Sequence, residues 1–309
     1  MAFGEEYKKQ VALLVRMLPE IAQEECFALK GGTAINLFIR NMPRLSVDID
    51  LTYLPVAPRA ESLTAIDAAM KRIAALIRQS IQRGQVTEAQ TENAVTTLYV
   101  RSDGVQTKIE VTPVMRGCAF DAEKKGVSEA VEDEFGFAEI KVLSFADVYG
   151  GKIVAALDRQ HPRDLFDVRD LLANEGITDD LRRAFIVYLL SHDRPMGEVL
   201  ASKQNDIAAE YARGFEGMTA EPVPLAELLA AREALVADIV GNMPDEHRRF
   251  LLSFERGAPE WALLDVPGAK DLPAVKWRQL NLDKTSKEKR AQLVAELEEA
   301  LRLAAVPKG

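Results

Sequence analysis

The sequence has few of the features that mark secreted, disulfide-bonded or membrane-spanning chains. It contains two cysteines, Cys26 and Cys118, each in an apolar neighbourhood without a Cys or His close by. Two such residues give neither a disulfide framework nor a zinc site, so we expect both to be inert core residues. Runs of about eighteen apolar residues are missing, and residues 1–10 are charged where a signal peptide would be apolar. We therefore expect a cytoplasmic protein that makes no membrane contact.

An excess of positive charge is also missing, because 48 acidic residues outnumber 39 Lys and Arg residues and the formal net charge is -9. Broad, sequence-independent binding to nucleic acid usually needs a basic domain, so we expect no DNA partner. Any RNA partner would have to meet a local basic patch. Two groups of residues are candidates for such a patch, a pair near the first glycine turn and a cluster near the end of the chain: Arg40, Arg44, Lys276, Arg278, Lys284, Lys287, Lys289 and Arg290.

The most informative feature that is present is a glycine turn early in the chain. Residues 27–29 are typical of a short buried strand, Gly31 and Gly32 of the tight turn that leaves it, and residues 33–39 of a helix. The first amide groups of a helix have no acceptor within the helix and attract phosphate. The pattern therefore predicts a phosphate-binding turn.

Paired carboxylates follow this turn. Residues 47–54 alternate with period two, so Asp48 and Asp50 share one strand face while Ile49 and Leu51 point into the core. Two like charges on one face repel each other unless a cation binds between them. Mg²⁺ is the natural cation, because it prefers carboxylate oxygens and commonly takes its other ligands from substrate phosphates.

Two further strands are predicted around Asp103-Gly104, a dipeptide that is a strong hairpin signal. On the second of them, Lys108 and Glu110 share a face. Glu110 is a candidate third carboxylate for the metal, and the alternative is a solvated Lys/Glu strand. We also predict a long helix over residues 62–81 and a short strand over residues 139–142.

Beyond residue 142 the patterns are mostly helical, and we expect a domain boundary there, with 1–142 as a mixed α/β domain and 143–309 as a helical domain. Lys152 lies early in one predicted helix, and its ammonium group suits a triphosphate. Asp164 and Asp167 lie three residues apart on the next helix and are therefore neighbours on one face.

Several blocks of sequence resemble the AbiEii/AbiGii-type nucleotidyltransferase toxins. The resemblance rests on Lys30-Gly31-Gly32-Thr33-Ala34, Arg44 to Leu51, Lys152-Ile153 and Arg163 to Asp167, and it covers nearly the whole chain. It implies an α+β fold in which a polymerase-β-like nucleotidyltransferase domain, a mixed sheet with flanking helices, precedes a mostly α-helical domain. It also implies a toxin that acts in a toxin–antitoxin or abortive-infection system.

The resemblance further implies roles for individual residues. Asp48 and Asp50 would hold Mg²⁺, with Mn²⁺ as the alternative ion and Glu110 as a less regular third ligand. The helical domain would complete the active site and contact the acceptor or a partner. Asp48, Asp50, Glu110, Lys152 and Asp164 would be catalytic, with Asp167 as the competitor of Asp164. The nucleotide would be bound by Gly31, Gly32, Thr33, Ser46, Lys152 and Arg163.

The implied reaction is transfer of nucleotides from a nucleoside triphosphate to RNA, with the acceptor end of transfer RNA favoured and a cognate antitoxin as the opposing partner. Three alternatives stay open on the sequence. In the first, the acceptor is a protein or a small molecule in place of RNA. In the second, the chain is a catalytically silent module that docks a partner protein. In the third, the Asp-x-Asp pair binds the metal of a nucleotide sugar. The early glycine turn argues against the last of these.

Overall fold

The structure is a computed structural model that describes residues 4–219 and 221–303. The chain divides into two compact units. The first runs to Ser144 and includes the later segment Glu216–Pro222, whereas the second comprises Phe145–Phe215 and the residues from Val223 onward. The first unit is mixed α/β, and the described part of the second is helical.

The first unit contains four α-helices and seven strands within its described residues. Its helices are α1 (Glu5–Ile21), α2 (Gly31–Ala34, continued by a π-helical turn Ile35–Ile39), α3 (Arg59–Ser80) and α4 (Glu129–Phe135). Its strands are β1 (Phe27–Lys30), β2 (Ile49–Tyr53), β3 (Gln85–Thr91), β4 (Ala94–Ser102), β5 (Val105–Arg116), β6 (Glu123–Gly126) and β7 (Glu139–Val142).

The seven strands form one mixed sheet in the order β3-β4-β5-β2-β1-β7-β6. In its centre β2 runs antiparallel to β1 and parallel to β5. One face of the sheet is covered by α1 and α3, because both helices carry an apolar stripe at helical spacing. In α3 this stripe consists of Ile66, Met70, Ile73 and Ile77, all fully buried. The opposite face of the central strands is left for polar residues.

The second unit is built from nine α-helices among its described residues. They are α5 (Phe145–Asp158), α6 (Pro162–Asn174), α7 (Asp179–Leu190), α8 (Met196–Leu200), α9 (Ala208–Gly214), α10 (Leu225–Val236), α11 (Asp245–Glu255), α12 (Pro273–Lys284) and α13 (Lys287–Leu303). The core of this unit forms where α5 packs along α7, and α13 closes it against α8 and α11. No helix of the described chain is both long and apolar enough to cross a membrane.

The α+β class expected from the sequence is confirmed, and so are the strand over residues 139–142 and the hairpin at Asp103-Gly104. Asp103 and Gly104 have φ values of 51° and 81°, as a two-residue primed turn requires. The expectation that both cysteines lie in the core is wrong, because Cys26 and Cys118 are partly exposed. Burial of part of its surface still raises the pKa of the Cys26 thiol.

Gly150 sets how closely α5 approaches α7. A Cβ at this position would lie 2.9 Å from the backbone nitrogen of Phe185 and 3.0 Å from the carbonyl carbon of Ala184. At the next residue, Gly151, a Cβ would meet only the ring of Tyr188, at 3.2 Å. The backbone of α7 cannot give way locally, whereas a tyrosine ring can.

We expect Gly150→Ala to lower the free energy of unfolding by about 1–3 kcal/mol, because overpacking two helix backbones outweighs the gain in helix propensity. Gly151→Ala is the matched control and should change it by less than about 1 kcal/mol. Urea unfolding followed by circular dichroism measures both. Equal effects of the two substitutions would show that Gly150 does not set the helix spacing.

Candidate active site

The turn between β1 and α2 lies against two other segments of the first unit. Gly31 has a φ of +73°, and a Cβ there would lie 2.9 Å from Oδ2 of Asp50. A Cβ on Gly32 would lie 2.8 Å from Nη2 of Arg44 and 3.0 Å from Oγ of Ser46. Both glycines are therefore needed for space, and Gly31 also for its backbone conformation.

Thr33 and Ser46, two of the proposed nucleotide-binding residues, meet directly behind this turn. Their hydroxyl oxygens lie 3.0 Å apart, and the Thr33 hydroxyl donates to the backbone carbonyl of Asp48. Both side chains are buried. This contact ties the start of α2 to the loop before β2, so that it fixes where Asp48 enters the sheet.

Arg44 is a structural residue of the same loop. It is 2% exposed, and its Nη1 donates to the backbone carbonyl of Leu45 at 2.9 Å. The loop is also held by Glu216–Pro222, because the amide of Leu45 donates to the carbonyl of Met218 at 3.0 Å. The expectation that Arg44 contacts an RNA backbone is therefore wrong.

The strand register places three charged residues in one row across the open face of the sheet. Lys30 of β1 is the partner of Asp50 of β2, and Asp50 is in turn the partner of Glu110 of β5. Registered partners share a sheet face, so the three side chains lie side by side. Asp48 is two residues before Asp50 and therefore on the same face, and both are partly exposed, while Ile49 between them is fully buried. The alternation predicted for residues 47–54 is confirmed from Asp48 to Leu51 but fails beyond it, because Thr52 and Tyr53 are both buried.

Two lysines lie among these carboxylates. Nζ of Lys108 is 2.7 Å from Oε2 of Glu110. Burial acts to lower the pKa of Lys108, but the hydrogen bond to Glu110 and the charges of Asp48 and Asp50 outweigh burial and raise it. For Lys30 burial prevails, and it lowers the pKa although the charges of Asp50 and Glu110 oppose the change. The row is therefore a mixed-charge surface and not a purely acidic one.

The open face offers a pair of carboxylates, not a preformed cage, to a metal ion. Within the described residues, no three His, Cys, Asp or Glu side chains converge as metal ligands. Asp48 and Asp50 nevertheless fit Mg²⁺, which commonly binds through one or two carboxylates plus substrate phosphates. The missing Cβ of Gly31 leaves the space beside Oδ2 of Asp50 clear. Glu110 lies in register with Asp50, but its carboxylate is bonded to Lys108.

A second polar cluster lies inside the helical unit. Nζ of Lys152 on α5 is 2.7 Å from Oδ1 of Asp164 and 3.0 Å from Oδ2 of Asp167, both on α6. Lys152, Asp164 and Asp167 are all less than one tenth exposed. Nε of Arg159 is 2.6 Å from Oδ2 of Asp164. Lys152 and Arg159 hold the pKa of Asp164 well below its ordinary range, although burial alone would raise it.

The turn between α5 and α6 positions this cluster. His161 caps α6, since its Nδ1 accepts a hydrogen bond from the amide of Arg163 at 3.1 Å, and Pro162 follows as the first helical residue. Arg163 itself is partly exposed. Gln160, whose φ is 53°, anchors the turn by donating to the carbonyl of Lys203 at 2.7 Å.

The sequence assigned no role to Lys30 or Arg159, although both contact the clusters. Lys30 is the one charged residue of β1 and directly precedes the Gly31-Gly32 turn, so a signal for it existed. Arg159 follows the last turn of α5, and no spacing rule predicts its contact with Asp164. The pairing of β2 with β5 does not follow from the sequence either, because these two strands are far apart along the chain.

Comparison with known proteins gives a family and a fold. The family described as "Nucleotidyl transferase AbiEii toxin, Type IV TA system" matches residues 12–277, which include both clusters. No curated protein is similar enough to the chain to count as a match.

Among solved structures, the nucleotidyltransferase toxin MenT4 from Mycobacterium tuberculosis H37Rv is similar, with a TM-score of 0.57 and 18% identity over 89% of this chain and 92% of that chain. Terminal uridylyl transferase 4 from Trypanosoma brucei with bound dUTP gives a TM-score of 0.30 and 14% identity over 96% and 94% of the two chains. The first similarity supports the fold, and the second is too low to support a conclusion.

The buried ion pairs of Asp164 should make the free energy of unfolding depend on pH in the acid range. The pKa of Asp164 is lower in the folded state than in the unfolded state. Its ionised carboxylate therefore contributes fully to the free energy of unfolding above the unfolded-state pKa, and this contribution is lost as pH falls towards the folded-state pKa. We expect Asp164→Asn to be less stable than the wild type at pH 7, with a difference that shrinks as pH falls from about 5 to about 2. The urea midpoints of the two proteins, measured across this pH range, give the difference in stability. A difference that does not change with pH would contradict the assigned ion pairs.

Proposed function

Because the chain belongs to the family of AbiEii nucleotidyl transferase toxins of type IV toxin–antitoxin systems, we propose that it transfers nucleotides from a nucleoside triphosphate to RNA. The acceptor end of transfer RNA is the favoured acceptor, since modification there blocks translation and accounts for toxicity. A cognate antitoxin would neutralise the toxin. The reaction would take place in the cytoplasm.

One observation carries the proposal for the site. The glycine turn, Asp48 and Asp50 meet on the open face of a single sheet, with Glu110 in register beside Asp50. A phosphate-binding turn next to paired carboxylates is what a metal-bound triphosphate requires. We therefore assign the triphosphate to Gly31, Gly32, Thr33 and Ser46, with Thr33 acting through its amide because its hydroxyl bonds Asp48.

Asp48 and Asp50 are the proposed ligands of Mg²⁺, and Mn²⁺ could replace it. When bound, the ion would supply charge neutralisation on the triphosphate and the leaving pyrophosphate. The position of the ion would be set by the carboxylates, because strand pairing holds Asp50 in register between Lys30 and Glu110.

The chemical step forms a bond between an acceptor hydroxyl oxygen and the α-phosphorus and breaks the bond from that phosphorus to pyrophosphate. Glu110 is the proposed group that accepts the hydroxyl proton, and the ion pair with Lys108, 2.7 Å away, would hold its carboxylate in place. Most of the rate enhancement in such a site comes from positioning and electrostatics.

We also propose that charged residues of the helical unit take part in nucleotide binding and catalysis, namely Lys152, Asp164 and Arg163. Asp164 and Asp167 both bond Lys152, so their first effect is to hold its ammonium group in one place. Arg163, which is partly exposed at the start of α6, is the most exposed member of this set.

The test is incubation of the protein with Mg²⁺, total transfer RNA and each α-labelled nucleoside triphosphate, reading the label retained on RNA. We expect label with at least one nucleotide and expect Asp48→Asn to reduce it to below about one hundredth, because charge stabilisation at the phosphates is lost.

Asp103→Asn is the control, since it removes the same charge from the exposed hairpin turn, a position that suits asparagine. Labelling that survives Asp48→Asn would contradict the assigned site. Label appearing on protein or on a small molecule in place of RNA would keep the chemistry and change the acceptor.

A further inference from the structure

The outer face of α12 is apolar although it faces solvent. Trp277 is 61% exposed and Leu280, one turn later, is 52% exposed. The opposite side of the helix is buried through Ala274, Val275 and Leu282. Among the large apolar side chains described as exposed, these two share one helix face, so the apolar area is continuous and does not consist of scattered single residues.

Lysines border this apolar face on one side. Lys284 continues the stripe of Trp277 and Leu280 by one more helical turn, and Lys287 and Lys289 follow at the start of α13. All three lysines are exposed, and within the described residues none of them forms an ion pair. We call Trp277, Leu280, Lys284, Lys287 and Lys289 the Trp277 surface.

The exposed bases of α3 differ from these lysines, because they are already neutralised. Lys71, Arg72 and Arg78 pair with Asp67, Glu24 and Glu88 at 2.6 to 2.8 Å. Lysines without a carboxylate in a chain of net charge -9 leave their charge available to an anionic partner.

Two arginines expected from the sequence to belong to this basic patch have structural roles instead. Arg278 donates to the carbonyls of Leu190 and His192 at 2.8 and 2.7 Å, and Arg290 donates to the carbonyl of Leu282. The acidic side chains nearby include Asp283, 3.9 Å from Arg290, and Glu288, and a further one, Asp271, pairs with Lys276 at 2.9 Å, so Lys276 is already neutralised.

We propose that the Trp277 surface binds a single-stranded segment of the acceptor RNA, with a base stacked on the Trp277 ring and backbone phosphates on Lys284, Lys287 and Lys289. The inference rests on the proposed function, because it supplies the RNA contact that the reaction needs. Aromatic rings beside a track of cations are how proteins bind single strands without reading their sequence.

Charge complementarity calls for an anionic partner, and stacking on the Trp277 ring favours RNA over an acidic protein. An acidic peptide would satisfy the lysines but would gain little from the flat indole face, whereas every base presents a π surface to it. Unpaired bases, such as those at the proposed acceptor end of transfer RNA, are free to stack on an aromatic side chain.

The first measurement uses Trp277 as its own reporter. The chain has two tryptophans, and Trp261 packs against Phe250 and Phe254 with centroid distances of 5.3 and 6.0 Å, so Trp261→Phe keeps an aromatic ring there. In this full-length variant we expect a single-stranded RNA oligonucleotide to quench Trp277 fluorescence. Inorganic polyphosphate, which carries charge but no bases, should not quench it.

The second measurement compares surface variants in RNA binding and in labelling. Trp277→Ala should raise both the Kd and the KM for RNA by at least about five-fold with kcat unchanged, the lower end of the effect of losing one stacked base. Lys284→Gln/Lys287→Gln should weaken binding and reduce the slope of log Kd against log salt by about 1.4.

Matched controls exist for both changes. Phe137 is 64% exposed on the first unit, so Phe137→Ala removes an equally exposed ring elsewhere. Lys9 and Lys203 are exposed as well, so that Lys9→Gln/Lys203→Gln removes the same charge. Both controls should bind RNA like the wild type, and thermal unfolding should show that every variant is folded.

The outcomes separate this inference from the proposed function. If the wild type labels RNA but RNA does not quench Trp277 and the surface variants keep their KM, the inference is wrong and the function stands. If RNA quenches Trp277 and the variants bind it weakly while no RNA is labelled, the surface is supported and the acceptor assignment fails. If the variants label RNA normally but escape neutralisation by the antitoxin, the surface binds that protein and the inference is overturned.

Discussion

The close approach of the β1–α2 turn to β2 is the constraint on which the candidate site depends. Gly31 adopts a left-handed conformation and lies so near Asp50 that a Cβ would stand 2.9 Å from its carboxylate oxygen. Gly32 approaches Arg44 and Ser46 equally closely. Any side chain at these positions would displace either the carboxylate or the loop that leads to it. The proposed phosphate-binding turn and the proposed metal-binding carboxylates are thus parts of one packed unit.

The two charge clusters differ in how deeply their charged groups are buried. On the open face of the sheet, Asp50 and Glu110 lie in one row with Lys30, Lys108 pairs with Glu110, and both carboxylates stay partly exposed. In the helical unit, Lys152 is enclosed with its two aspartates, where loss of one partner would leave a buried uncompensated charge. The first arrangement suits ligand binding, and the second suits a fixed electrostatic element.

Local sequence patterns predicted the features that depend on residues close together in the chain. They did not predict contacts between residues far apart in the chain. Alternation gave Asp48 and Asp50 their common face, and Asp103-Gly104 gave the hairpin. The strand β3 was missed because its residues are polar and mostly exposed on an edge of the sheet. The return of Glu216–Pro222 to the first unit was missed as well, since its bond to Leu45 joins segments far apart in sequence. Arg44 and Arg278 looked like surface bases because a sequence does not show which guanidinium groups are enclosed by carbonyls.

The most direct test of the account is Mg²⁺-dependent binding of non-hydrolysable nucleoside triphosphates to Gly31→Ala, measured by calorimetry. Gly104→Ala is the matched control, since Gly104 has a similar φ of +81° and nothing within 4 Å of its added Cβ. The account predicts that Gly104→Ala binds nucleotide like the wild type, while Gly31→Ala remains folded and loses the binding. Wild-type affinity in Gly31→Ala would contradict the claim that this turn and Asp50 together form the nucleotide site.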